Sequence, residues 1–99
     1  MNDDLFFTLP AFKPDDALVQ IKRALRDVRS LSERAQTYSL QGQVVLSLTV
    51  ADGKLMASLA KRPAHSPDWD RRECKSSADV RSLLEEIKRR VARWTDETP

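Results

Sequence analysis

The sequence predicts an α+β domain in which two amphipathic helices pack on one face of a small antiparallel sheet, in the order α-β-β-(β)-α. Three observations predict it. Leu18, Ile21, Leu25 and Val28 are spaced 3, 4 and 3 apart, one stripe of a helix. Asp52-Gly53 stands between two segments that alternate apolar and polar residues. Val80, Leu83, Leu84, Ile87, Val91 and Trp94 make a second helical stripe.

The chain has 99 residues, which suits one domain with one core. Hydrophobic residues are 40% and charged residues 32%, a globular composition too apolar for a disordered chain.

Residues 1–13 read as an apolar arm. Pro10 and Pro14 make it a poor helix, yet it carries Leu5, Phe6, Phe7, Leu9 and Phe12. Five large apolar side chains in so short a segment are expected to be buried, either on the domain's own core or on another chain. They are the candidate partner-binding residues.

The domain proper is assigned to residues 14–95 and a frayed tail to 96–99. Pro14 suits the first turn of a helix, and Asp15 and Asp16 complement the positive end of its dipole. The stripe extends through Leu31 and Ala35 toward Tyr38, so this helix is expected to end between Gln36 and Gly42.

The hairpin follows. Val44, Leu46, Leu48 and Val50 are expected on one face, with Val45, Ser47, Thr49 and Ala51 on the other. Asp-Gly favours a two-residue type I′ turn, which needs positive φ at both positions. That turn sets Val50 opposite Leu55, Leu48 opposite Ala57 and Leu46 opposite Leu59. On the other face it sets Thr49 opposite Met56, Ser47 opposite Ser58 and Val45 opposite Ala60. A shift of one residue would destroy the match.

Pro63 and Pro67 mark a loop, and Trp69 to Lys75 is read as a short edge strand. The alternative, a structureless loop of roughly fifteen residues, is unusual in a compact domain. The second helix opens on Ser76 and Asp79 at capping-box spacing, with Ser77 as the other candidate cap. Glu85–Arg89 and Glu86–Arg90 are expected as i,i+4 pairs, and Lys88, Arg89, Arg90 and Arg93 crowd its C-terminal half. The core is expected from Leu18, Ile21, Leu25, Val28, Leu46, Leu48, Val50, Leu55, Leu59, Val80, Leu84, Ile87 and Val91.

Little in the chain points to catalysis. Gly42 and Gly53 are the only glycines, which excludes a Gly-rich phosphate loop. His65 is the only histidine and Cys74 the only cysteine, so neither a multi-histidine metal site nor a structural zinc set can form. His65, Ser66 and Asp68 are too close in sequence for triad geometry. Asp68, Asp70 and Glu73 match no calcium-loop pattern. Arg71, Arg72 and Lys75 could activate Cys74, but a lone thiol at a strand end is more commonly a small apolar filler. The expectation is no enzyme, no cofactor and no metal.

No apolar run reaches the ~20 residues of a membrane helix, and Asp3 and Asp4 stand where a secretory signal carries positive charge. With one cysteine there is no internal disulfide, and the expected location is the cytoplasm.

Charge leaves two function classes. Residues 17–94 hold sixteen basic and nine acidic residues, a net of +7, between acidic ends. Lys22, Arg26 and Arg29 fall at i, i+4 and i+7 on the first helix. Lys88, Arg89 and Arg93 form a second group, and Arg62, Arg71, Arg72 and Lys75 a third beside Trp69. Lys22, Arg26, Arg29, Arg71, Arg72, Lys88, Arg89 and Arg93 are the candidate anion-binding residues. Basic groups with an aromatic can hold a phosphate backbone. Interspersed Asp27, Glu33, Glu73, Glu85 and Glu86 thin each group, and no base-reading motif accompanies them. The element order is also that of double-stranded-RNA-binding domains, but Asp79 interrupts the segment where those carry lysines, so no resemblance is drawn. The leading expectation is a non-enzymatic module that binds a protein partner or a second copy of itself. Nucleic-acid binding through the basic helix faces is the alternative.

Overall fold

A computed structural model describes residues 12–97. Helix α1 spans Pro14–Leu25. Five strands follow: β1 (Leu31–Arg34), β2 (Thr37–Leu40), β3 (Gln43–Ala51), β4 (Lys54–Ala60) and β5 (Trp69–Cys74). Helix α2 spans Ser77–Glu97. Each strand pairs antiparallel with the next, so the sheet order is β1-β2-β3-β4-β5. The α+β class, the two helices and the antiparallel sheet agree with the sequence.

The central hairpin has the expected register. Val50 faces Leu55, Leu48 faces Ala57 and Leu46 faces Leu59. Asp52 and Gly53 adopt φ values of 53° and 73°, the left-handed pair that a type I′ turn requires. A β-branched residue resists that conformation, so Gly53→Val should cost about 1–2 kcal/mol. Thermal denaturation should register it as a lower melting temperature, whereas Gly53→Asn should stay close to wild type. An unchanged melting temperature for Gly53→Val would contradict the turn.

The first helix is shorter than its stripe. It stops at Leu25, and the segment expected to continue it forms a second hairpin, β1 and β2. Leu31 pairs with Leu40 and Glu33 with Tyr38. Period 2 wins over period 3.6 here because Tyr38 and Leu40 alternate with Thr37 and Ser39, burying both apolar side chains on one face. Serines at 30, 32 and 39 also compete with helical backbone bonding. Three bonds fix the β1–β2 turn: Thr37 Oγ1 donates to Arg34 O at 2.8 Å, Gln36 Nε2 to Leu48 O at 2.8 Å, and Leu48 N to Gln36 O at 2.9 Å. Between β2 and β3, Gln41-Gly42 repeats the Asp-Gly geometry, with φ of 53° and 85°.

One register expectation fails. Tyr38 pairs with Leu46 but Ser39 pairs with Val44, so Val45 is an extra residue in β3. This β-bulge turns Val45 inward beside Leu46 and leaves Val44 exposed. The β3–β4 ladder ends at Leu46 opposite Leu59, so the expected Val45–Ala60 pair is not part of it; on its other side Ala60 pairs with Trp69. The edge strand at Trp69–Cys74 is present and pairs with β4.

The helices do not cover one sheet face together, as the sequence had led us to expect. The twelve-residue α1 lies against β3 and β4, while α2 contacts the edge strand β5 and α1. At about 1.5 Å per residue, α2 is roughly 30 Å long, and its contacts run along β5 and α1. Ser76 caps α2: Asp79 N donates to Ser76 Oγ at 3.2 Å, and Asp79 Oδ2 accepts from Lys75 N at 2.9 Å. Arg89 bonds Glu86 rather than the expected Glu85.

Ile21, Leu25, Leu46, Leu48, Leu55, Leu59, Val80, Ile87 and Val91 are buried as expected. Leu18, Val28, Val50 and Leu84 are only half-buried against that core. Ala17, Tyr38, Leu40, Val45, Ala57, Ala60, Cys74, Leu83 and Trp94 complete it.

Candidate functional site

The residues singled out for catalysis are not assembled into a site. His65 is exposed in the loop between β4 and β5, which a bond from Lys61 N to Asp68 O closes at its base. Cys74 ends β5 in the core, and burial, aided by the Asp79 carboxylate, pushes its thiol pKa up. A thiol raised in this way is less nucleophilic at neutral pH, so its neighbouring arginines do not activate it. Among the described residues, no cluster of His, Cys, Asp or Glu is placed to hold a metal ion. Tyr38 is buried, with its hydroxyl near the Glu33 carboxylate. Burial and the nearby Glu33 carboxylate push its pKa up to about 12, so it stays protonated at neutral pH.

Of the arm residues, Phe12 lies within the described structure, half-buried against the core. Leu5, Phe6, Phe7 and Leu9 lie outside the described residues.

The three basic groups are rearranged. Because α1 ends at Leu25, Lys22 stands in its last turn, Arg26 caps it and Arg29 sits in the following turn. The three are not one line on a helix, and Lys22 pairs with Glu33 at 3.7 Å. Arg71 and Arg72 are adjacent on β5 and so point to opposite faces of the sheet. Arg72 donates to Ser82 Oγ on α2 at 3.2 Å, while Arg71 is exposed. On α2, Arg89 is engaged by Glu86, and Lys88 and Arg93 are exposed. Lys54 and Lys75 both pair with Glu73, at 3.5 Å each.

Arg90, read from sequence only as half of a helix pair, ties three elements together. Its guanidinium meets Asp70 of β5 at 2.8 Å, Glu86 at 2.6 Å and the carbonyl of Ala60 at 2.9 Å. The Arg90 hydrogen bonds hold the Asp70 and Glu86 carboxyls below their ordinary range. This clamp fixes the C-terminal half of α2 over the end of β4.

Beside the clamp, the β2–β3 turn, the end of β4 and the last turns of α2 meet around an open groove of about 600 Å³. Gln41, Gln43, Lys61, Arg62 and Arg93 supply its polar lining, and none of the described lining residues is acidic. Leu40, Pro63 and Trp94 form the apolar part. Lys61 is shared with Asp70 at 3.6 Å, whereas Arg62 and Arg93 make no ion pair among the described residues. Sequence placed Arg62 with Arg71 and Arg93 with Lys88. The fold instead brings Arg62 and Arg93 to one end of the sheet. Lys61, Gln41 and Gln43 carry no local signal for this, because only the order of the strands places them together.

Among the described residues no helix is long and apolar enough to cross a membrane. No protein family, curated protein or solved structure matches the chain in comparisons of sequence and fold.

Proposed function

We propose that the chain is a small non-enzymatic module that binds a protein partner, or a second copy of itself, through its apolar N-terminal segment. One observation carries this reading. The basic line expected on the first helix does not form, because α1 ends before Arg26 and Arg29. Ion pairs with Glu33, Glu73, Asp70 and Glu86 engage several of the remaining cations. What is left is a segment with four large apolar side chains, Leu5, Phe6, Phe7 and Leu9, joined to the domain through Phe12, which packs on the core. The lone buried thiol of Cys74 is compatible with work in the reducing cytoplasm.

The test is the double variant Phe6→Ala/Phe7→Ala. It should keep the wild-type melting temperature and lose association, read as the mass in light scattering for self-assembly or as retention of a partner. A lower melting temperature with association intact would overturn the reading, because the segment would then belong to the domain's own core.

A further inference from the structure

A groove lies between the β2–β3 turn, the end of β4 and the last turns of α2, apart from the apolar segment's only described large residue, Phe12. Resting on the reading of the chain as a protein-binding module, we infer that this groove is a second contact, which takes a short acidic peptide segment of the partner.

The lining selects for an anion. Arg62 and Arg93 approach from separate elements, the loop after β4 and helix α2, and neither has an ion pair among the described residues. Two like charges held across a groove repel each other, and a carboxylate between them relieves that repulsion. Arginine also offers a planar fork that matches a carboxylate with two parallel bonds. The rest of the lining decides between peptide and nucleic acid. Gln41 and Gln43 can each donate to and accept from an extended peptide backbone. Pro63 adds an apolar contact that suits an aliphatic side chain between acids.

A nucleic-acid strand fits less well. Stacking a base needs an exposed aromatic face, and Trp94 is only 4% exposed. A phosphate backbone also needs positive charge to continue beyond the groove. Asp68 and Asp70 stand instead on the side of Lys61, Asp68 in a smaller hollow that shares Lys61 and Arg62. On that side the positive lining of the groove ends.

The test measures fluorescence anisotropy of a labelled peptide of alternating Glu-Glu-Leu units against the intact chain, with a labelled thymidine oligonucleotide of similar length in parallel. The peptide should bind, weaken with added salt, and lose at least about tenfold in affinity in Arg62→Glu/Arg93→Glu. Lys88→Glu, outside the groove, should bind like wild type. Arg62 lies in a loop outside any helix or strand, so Arg62→Glu alone gives the answer if the double variant fails to fold. Peptide binding that is absent, or indifferent to Arg62→Glu, would overturn the inference while leaving the Phe6/Phe7-dependent association standing. Tighter binding of the oligonucleotide, lost in Arg62→Glu, would overturn both the inference and the protein-binding reading.

Discussion

Val45→Asp should unfold the domain, while Val44→Asp should leave its melting temperature within about 4 °C of wild type. The two residues are neighbours on β3 and chemically identical, yet Val45 is 1% exposed and Val44 is 40% exposed. An aspartate at Val45 would place a carboxylate against Leu46 and the inner face of the sheet. Burying an unpaired charge costs several kcal/mol even after relaxation, against a total stability of roughly 5–15 kcal/mol. At Val44 the carboxylate reaches water. The contrast depends wholly on the bulge opposite Tyr38 and Ser39. An unbroken register would place Val44 on the buried face and reverse the outcome. Circular dichroism at room temperature and a thermal melt of each variant read the result directly. Equal melting temperatures, or a folded Val45→Asp, would contradict the register of β2 on β3.

Trp94→Ala should cost about 3–5 kcal/mol, the range for truncating a buried tryptophan. Trp69→Ala should cost roughly 1 kcal/mol or less. Trp94 is 4% exposed on the inner side of α2, whereas Trp69 is 38% exposed at the start of β5. Trp94 is also the last buried side chain of its stripe, after Val80, Leu83, Ile87 and Val91. Its loss would open a cavity beneath the final turns of the helix and leave that end of the core unfilled. For a domain of this size the melting temperature should fall by at least about 12 °C. Emission of the Trp69→Phe variant should come from a buried indole. A melting temperature unchanged by Trp94→Ala would show that the last turns of α2 are not part of the core.

The parts of the fold legible in the sequence are those where two local signals coincide. Asp52-Gly53 and the alternation on both sides of it specify one register, and the fold has that register. Ser76 and Asp79 mark the start of α2 because capping is a contact within one turn. The β1–β2 hairpin was hidden because Val28 and Leu31 prolong a helical spacing by coincidence, and because Gln41-Gly42 is a weaker turn signal than Asp52-Gly53. Gly42, directly after the alternation of Tyr38 and Leu40, was the available clue. The bulge at Val45 has no mark in the sequence at all, since it is fixed by how β2 pairs with β3. The groove is a stronger case of the same limit. Gln41, Arg62 and Arg93 come from distant segments, and the strand order together with the docking of α2 through Arg90 assembles them. Charge counts per segment grouped the arginines by neighbours in sequence, whereas the fold separates Arg71 from Arg72 and joins Arg62 to Arg93.

The central claim is that the apolar segment, and not the net positive body, makes the principal contact with a protein. Apolar burial is not screened by ions, whereas binding to a phosphate backbone weakens steeply with salt through counterion release. The measurement is retention of cellular material by the immobilised intact chain and by Phe6→Ala/Phe7→Ala, after nuclease treatment, washed at physiological salt and at about 1 M salt. A protein should stay on the intact chain through the high-salt wash and be missing from the double variant. Material that is nucleic acid before nuclease treatment, leaves in high salt and binds both chains equally would contradict it.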